Sequence, residues 1–182
     1  MSEALSMEDS GVTFETMLNA NCNFLCIASS AVGVPELQKR GFDSPGRFKL
    51  IGMRSIDLND LPFTRELICA FGVRALRECF IELPHDIVSL AGGQALSLLK
   101  LGIHECLEMC LGEPEMAYEY LSAQPDLVCL LPKTSVDRLL GCGLRERALM
   151  RLGLGMRVLI EQMNATPAQL ELLGFSRFRL AI

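Results

Sequence analysis

The chain has 182 residues and a formal net charge of −5, with 50% of its residues hydrophobic and 21% charged. The mean hydropathy of +0.31 excludes an intrinsically disordered chain, which needs low hydrophobicity and high net charge. The acidic balance also excludes a nucleic-acid binder that works by bulk positive charge, but it leaves room for a local basic face. The apolar surplus predicts that part of the surface is buried against partner chains, so we expect an oligomer.

The first residues and the cysteines predict a cytoplasmic protein. The N-terminal segment is acidic and has no signal-peptide core, and we expect residues 1–20 to be partly flexible. The best candidate for a membrane span, residues 24–34, is much shorter than the roughly 20 apolar residues that a spanning helix needs. Cytoplasmic thiols stay reduced. The eight cysteines include no Cys-x-x-Cys pair, so we expect buried apolar thiols and predict no metal and no cofactor.

One short pattern occurs three times along the chain. It consists of leucine, any residue, a basic residue, any residue, glycine and then an apolar residue. The three copies are residues 37–42, 98–103 and 149–154. Their glycines are Gly41, Gly102 and Gly153. Landmarks that recur in a fixed order at long spacings are typical of internal repeats.

Two further landmarks follow each glycine in the same order. The first is a predicted helix start, at Ser55, Glu113 and Thr166. The second is a short apolar run that is typical of a strand. These runs are residues 67–71, 127–131 and 178–182. We therefore predict a mainly α chain that is built from repeated helix-turn-helix-like units, with short strands between them.

The unit boundaries follow from the glycines and prolines that break the chain. We predict a first helical unit over residues 21–83, a second over 84–143 and a truncated third over 144–182, packed as one compact body. Residues 73–80 are predicted to be helical because Val73, Leu76 and Phe80 share one face.

The helix start at Thr166 carries the clearest local signal. The Thr166 hydroxyl can accept a hydrogen bond from the Gln169 N–H while Gln169 reaches back, as in a capping box. Pro167 then occupies the first helical position, where a missing N–H has no cost. The sequence therefore predicts a helix that begins directly after Thr166.

The third unit resembles the FlhD family of flagellar master regulators. The resemblance lies in residues 145–155, 165–169 and 175–179, which match an "RLG" helix, a "TPAQ" helix start and an "RFR" segment. Residues 101–103 and 127–129 of the second unit are similar, and the partner family FlhC begins with a related helix.

The resemblance implies a member of the FlhD/FlhC-like bacterial master transcription regulator superfamily, which includes flagellar and conjugative-element activators. A protein of this kind binds promoter DNA as a hetero-oligomer with a second regulator subunit, and it recruits or positions RNA polymerase.

Positive charge is concentrated in two segments of this acidic chain. Residues 143–182 contain six arginines against three glutamates, whereas residues 1–142 contain 11 basic against 19 acidic residues. Arginine offers five donors in a planar fork that suits phosphate and guanine edges. The candidate DNA-binding residues of the C-terminal segment are Arg145, Arg147, Arg151, Arg157, Arg177 and Arg179. A second candidate cluster, with Asp43 as the opposing charge in its segment, comprises Lys39, Arg40, Arg47, Lys49 and Arg54.

No motif in the sequence indicates catalysis. A phosphate-binding Gly-x-x-x-x-Gly-Lys loop and a Rossmann glycine pattern are both missing from the sequence. His85 and His104 are the two histidines, and neither is spaced to activate a cysteine nucleophile. We therefore predict that the chain is not an enzyme. The resemblance implies a transcription regulator, an activator subunit, and the two arginine-containing clusters agree with DNA binding. The alternative is a helical adaptor or chaperone that binds protein and does not contact DNA.

Overall fold

The structure, a computed structural model, describes residues 11–30 and 32–176. Within these residues the chain forms fifteen α-helices and two 3₁₀ helices and no β-strand. The described residues divide into two compact units, with the boundary between Glu82 and Leu83. The prediction of a mainly α chain is confirmed.

Most helices are short, about two turns or less. The first unit contains α1 Phe14–Asn19, α2 Phe24–Ala28, α3 Val34–Lys39, α4 Pro45–Leu50, a 3₁₀ helix Ser55–Asn59, α5 Leu61–Phe71 and α6 Val73–Phe80. The second unit contains α7 Pro84–Ser89, α8 Gly93–Leu98, α9 Ile103–Met109, α10 Pro114–Ser122, α11 Pro125–Val128, a 3₁₀ helix Leu131–Lys133, α12 Val136–Gly141, α13 Glu146–Arg151, α14 Met156–Glu161 and α15 Pro167–Leu172.

The helices repeat at a spacing of ten or eleven residues over long stretches. In the second unit, helices begin at residues 93, 103, 114, 125, 136, 146, 156 and 167. Several helices of the chain bury their first and fourth residues, as Val34 and Leu37 do in α3 and Val136 and Leu139 do in α12. Residues three apart share one helical face, so a six-residue helix can bury just such a pair.

Seven helices end in the same Schellman motif. In each, one residue takes a left-handed conformation and the residue after it donates its N–H to the carbonyl five positions back, at 2.8–3.1 Å. The left-handed residue itself donates to the carbonyl three positions back, which completes the motif. The left-handed residues are Asn21, Gly41, Gly52, Lys100, Gly143, Gly153 and Gly174. The motif turns the chain sharply, which lets the next short helix start after a few residues.

Several helices of each unit pack against the third helix after them. In the second unit α7 packs on α10, α9 on α12 and α12 on α15. In the first unit, where the 3₁₀ helix counts as one of the series, α3 packs on α5 and α4 on α6. Hydrogen bonds from side chains across this packing join residues 30–35 apart. Each unit is therefore a stack of turns with three short helices each, in the manner of helical-repeat proteins.

The cores of the two units differ in composition. In the first unit the Phe48 ring lies 5.1 Å from that of Phe42 and 6.1 Å from those of Phe63 and Phe71, measured between ring centroids. The second unit is filled by leucines, by the buried Tyr120 and by three buried cysteines. Aromatic pairs at these distances add to the stabilisation that burial provides.

The local helix predictions are confirmed. A helix, α6, spans Val73–Phe80 and buries Leu76 and Phe80. Thr166 forms the predicted capping box, in which its N–H donates to Gln169 Oε1 at 2.9 Å and its hydroxyl accepts from the Gln169 N–H at 3.2 Å. The helix starts predicted near Ser55 and Glu113 also agree with the structure.

The predicted strands are wrong where the structure describes them. Residues 67–71 form the end of α5, and residues 127–131 run from α11 to the second 3₁₀ helix. The third run, residues 178–182, lies outside the described residues. Short apolar runs do not distinguish a strand from a buried helix segment, and here the i, i+3 burial of Thr64 and Leu67 in α5 belongs to a helix.

The glycines of the three sequence repeats do not occupy equivalent positions in the structure. The prediction that they are equivalent is therefore wrong. Gly41 and Gly153 are the left-handed residues of their Schellman motifs, at φ +94° and +79°. In the corresponding motif after α8 that residue is Lys100, and Gly102 is the N-cap of α9 at φ −83°. The repeat visible in the structure is a single short helix, and several such helices lie between one of these glycines and the next.

The two kinds of glycine predict effects of different size on alanine substitution. Gly153→Ala is expected to lower the free energy of unfolding by about 1–2 kcal/mol, because alanine is strained at a left-handed φ. Gly102→Ala is expected to lower it by no more than about 0.5 kcal/mol, because its φ suits alanine and only the N-cap preference for glycine is lost. An added Cβ meets no atom within 4 Å at either position, so steric clashes do not separate the variants and backbone conformation does. Urea denaturation compares them, and equal destabilisation would contradict the assignment.

Candidate functional site

Three of the predicted arginines line one groove of the second unit. Arg145 is the N-cap of α13, Arg147 is the second residue of that helix and Arg151 is its last. All three are exposed. Arg147 and Arg151 are four residues apart and therefore share one helical face. We call this feature the arginine groove, and its volume is about 530 Å³.

The opposite wall of the groove comes from α10, one turn of the stack earlier. Pro114, Glu115 and Tyr118 line it, and Tyr118 is half-buried. The walls are close together because the backbone at Gly143 packs against the Pro114 ring, where an added Cβ would lie 3.4 Å from the nearest ring atoms. In addition, the Gly112 N–H donates to the Gly141 carbonyl at 2.8 Å. The groove is therefore part of the stacked fold.

The charge of the arginine groove is positive. Arg145 donates from Nη1 to the carbonyl oxygen of Leu144 at 3.3 Å. The guanidinium groups of Arg147 and Arg151 form no hydrogen bond or ion pair with any other residue in the described part of the chain, and Glu115 is the acidic residue of the lining. Most of the guanidinium donors thus face solvent, where they can bind phosphate or carboxylate oxygens.

The other C-terminal arginines do not join this groove. Arg157 lies on α14 and forms an ion pair with Glu161 of the same helix at 2.9 Å. Arg177 and Arg179 lie outside the described residues. The structure therefore brings three of the six predicted residues of this segment together.

The second predicted cluster is paired within the chain. Each of its basic side chains lies near a carboxylate of the first unit. The pairs are Lys39–Glu36 and Arg40–Glu36 at 3.2 Å, Arg47–Asp43 at 3.2 Å, Lys49–Glu82 at 2.7 Å and Arg54–Asp57 at 3.9 Å. Most of these carboxylates lie outside the segment 39–54, so its local sequence overstates its positive charge.

Two of these side chains also hold the fold of the first unit together. Arg47 donates to the carbonyl oxygen of Gly41, and its guanidinium carbon lies 4.7 Å from the centre of the Phe14 ring. Lys49 donates to the carbonyl oxygen of Cys79 at 2.8 Å, near the end of α6. These contacts make the cluster a structural network more than a ligand-binding face.

Tyr118 and Pro114 are residues of the candidate site that sequence reasoning missed. They precede the arginines that they face by one turn of three helices. The recurrence of short helices at ten or eleven residues is the signal that places these segments side by side.

Buried thiols form a separate cluster in the second unit. Burial raises the pKa of Cys110 to about 12, and the neighbouring Cys142 and Cys106 add to the shift. Burial also raises the pKa of Cys142 to about 11, against a smaller opposite effect of Arg138. The Cys142 thiol donates to the Leu107 carbonyl at 3.1 Å. High pKa values make these thiols poor nucleophiles at neutral pH.

These shifts predict which cysteines react. At pH 8 we expect iodoacetamide to alkylate the exposed Cys26, Cys69 and Cys129 of the folded protein and to leave Cys110 and Cys142 unmodified. Peptide mass spectrometry measures this, with urea-unfolded protein as the control, in which all five react. Alkylation of Cys110 at the rate of Cys69 would contradict the burial of its thiol.

The same shifts predict a pH dependence of stability. The folded-state pKa values exceed the ordinary value of 9.0, so the contribution of the thiols is full below pH 9. It is lost as the pH rises towards 12, because the unfolded chain releases protons that the folded chain retains. We expect the free energy of unfolding to fall by up to about 1.4 kcal/mol per pH unit for each thiol. Urea titrations between pH 8 and pH 11 test this, and stability that is unchanged above pH 9 would contradict it.

The structure offers neither a metal centre nor a membrane span in its described part. In residues 11–30 and 32–176, no group of three or more His, Cys, Asp or Glu side chains is placed to hold a metal ion. Over the same residues, no helix combines the length and the apolar character that crossing a membrane requires. Comparison of the chain with protein-family models, curated proteins and solved structures finds no match in any of them.

Proposed function

We propose that this chain is a DNA-binding transcription regulator, an activator subunit that contacts promoter DNA through the arginine groove. The observation that carries the proposal is the convergence of Arg145, Arg147 and Arg151 on one groove, two of them without partners among the described residues. The resemblance of the third unit to the FlhD family points to the same function. The role is binding and not catalysis, and the site of action is cytoplasmic DNA.

The chemistry of the groove suits a nucleic-acid backbone. Arginine binds phosphate oxygens through paired N–H donors, and such contacts supply most of the affinity of a protein for DNA. Helical stacks present long surfaces that can follow an extended ligand. Three arginines that line one groove would neutralise up to three phosphates.

A second regulator subunit is part of the proposal. The chain has a net charge of −5, and the basic residues of segment 39–54 are paired with carboxylates of the chain itself. Three phosphate contacts give weak binding at physiological salt. A hetero-oligomer with further basic residues, which also contacts RNA polymerase, would supply the rest.

A helical adaptor that binds protein alone is the second candidate. It is favoured by the ion pairs of segment 39–54 and by several large apolar side chains that remain exposed. The most exposed are Leu25, Leu50, Leu83 and Leu172, at 61–68% of their full accessible surface. Several exposed apolar side chains on one protein indicate protein-binding surfaces.

Electrophoretic mobility shift with genomic fragments from the native host separates the two functions. The protein is tested alone and together with the product of the neighbouring gene, at low salt. The regulator proposal predicts a shifted complex in at least one of the two conditions. No shift in either condition contradicts it and favours the adaptor.

A further inference from the structure

A second cavity, in the first unit, has the opposite charge to the arginine groove. Its volume is about 470 Å³, within the range of binding pockets for small groups. Its apolar floor is formed by Phe24 and Ile27 of α2 and by Phe63 of α5. The Phe24 and Phe63 rings lie 5.9 Å apart between centroids, so the two helices together build the floor of one pocket.

Carboxylates surround the mouth of this pocket. Asp57, Asp60 and Glu66 line it. Among the described residues, no lysine, arginine or histidine lines it. Asp57 lies 3.9 Å from the guanidinium of Arg54. Asp60 and Glu66 have no ion pair with any residue that the structure describes. The rim is therefore negative, and two of its three carboxylates are not paired with any described residue.

The carboxylates of Asp60 and Glu66 are held in place by backbone N–H groups. Glu66 Oε2 accepts from the Val34 N–H at 2.8 Å, across 32 residues of sequence. Asp60 Oδ1 accepts from the Phe63 N–H at 3.4 Å. A carboxylate has about four acceptor sites on two oxygens, so each side chain is fixed in position and can still bind a cation.

We propose that this pocket receives a lysine or arginine side chain of a partner polypeptide. A basic side chain has a hydrocarbon stem that packs on apolar surface and a charged end that stays polar. The stem lies against Phe63, whose aromatic face also attracts the cation. The charged end binds Asp60 and Glu66. A negative rim over an apolar floor matches this occupant in both charge and polarity.

The occupant is a polypeptide because the pocket lining includes an exposed apolar side chain that a small cation does not cover. This residue is Ile56, with 44% of its surface exposed. A free amine would leave this residue uncovered, whereas the residues flanking a basic side chain in a polypeptide cover it. The inference uses none of the residues of the arginine groove and is independent of the proposed function.

Binding of a synthetic peptide tests the pocket. The probe is the fluorescein-labelled decapeptide (Gly-Leu-Arg-Leu-Gly)₂, and its control replaces both arginines by citrulline, which keeps the shape but removes the charge. Fluorescence anisotropy with the full chain is expected to give a Kd about tenfold lower for the arginine peptide. Equal Kd values for the two peptides would overturn the proposal.

Matched variants localise the binding. Asp60→Asn combined with Glu66→Gln is expected to raise the Kd of the arginine peptide about tenfold. Both amides keep the oxygen that accepts the backbone N–H, so the fold is retained. The control pair, Glu15→Gln with Glu108→Gln, removes the same charge from exposed positions elsewhere and should leave the Kd unchanged. An equal loss in both pairs would overturn the assignment.

Two further readouts decide the position and the kind of occupant. The methyl resonances of Ile56, which lines the pocket and is exposed, should shift when the arginine peptide is added, and unmoved resonances would overturn the proposal. N-acetyl-arginine methylamide is expected to displace the peptide only at far higher concentration. Displacement at equal concentration would show that a free cation is the occupant and would overturn the choice of a polypeptide.

Discussion

Replacement of Phe48 by alanine is expected to lower the stability of the first unit by about 3–5 kcal/mol. The Phe48 side chain is fully buried. Its ring lies within 6.1 Å of three other rings, those of Phe42, Phe63 and Phe71. Truncation removes the apolar contacts with all three rings and leaves a cavity. Short helices that are held by a few buried side chains cannot readily close this cavity.

Far-UV circular dichroism in a urea titration measures this loss. The matched control is Leu50→Ala, two residues further along α4, because Leu50 is 68% exposed and its truncation should change stability by no more than about 0.5 kcal/mol. Phe48→Leu should fall between the two. If Phe48→Ala and Leu50→Ala gave the same urea midpoint, the aromatic cluster would not be the core of this unit.

The second large effect concerns the arginine groove. Triple replacement of Arg145, Arg147 and Arg151 by glutamate is expected to weaken DNA binding about a hundredfold. Each charge-assisted contact contributes roughly 1 kcal/mol or more, and about 1.4 kcal/mol corresponds to a tenfold change in Kd. All three side chains are exposed, so the fold should be unaffected, which a circular dichroism spectrum verifies.

The control for this variant reverses the same number of charges elsewhere. Arg65, Arg74 and Arg157 are exposed and lie outside the groove. Their triple replacement by glutamate changes the net charge equally and should alter the Kd by no more than about threefold. Equal weakening by the two triple variants would show that bulk charge, and not the groove, determines binding.

The sequence was informative where the physical signal is local. The helix at 73–80 follows from apolar residues on one face, and the start of α15 follows from a cap at Thr166 that involves residues three apart. Both signals are complete within a few residues. The tertiary fold has little scope to override them.

The period of the fold was harder to predict because the helices are so short. A six-residue helix with two buried residues is too short for an amphipathic pattern, which needs a window of about 11–18 residues. The glycines are the clearest repeated residues in the sequence, and they align Gly102 with Gly153. In the structure, Lys100 and not Gly102 has the left-handed conformation of Gly153. A lysine in a left-handed position gives no sequence signal.

In the candidate sites, too, local features could be predicted from the sequence and long-range contacts could not. The arginines of α13 were predicted from composition, but their neighbour Tyr118 was not, because the two meet only through helices that lie one turn of the stack apart. Likewise Glu82, which pairs with Lys49, is 33 residues away from it. A charge cluster in the local sequence therefore says little about the partners that a repeat brings to it.

The salt dependence of DNA binding tests the central claim most directly. Each neutralised phosphate contributes about 0.9 to the slope of log Kd against log salt concentration, so three groove arginines contribute about 2.7. The account predicts that the slope of the wild-type protein, measured with its partner subunit if binding requires it, exceeds that of the Arg145, Arg147 and Arg151 triple variant by about this amount. Equal slopes for the two proteins would contradict it.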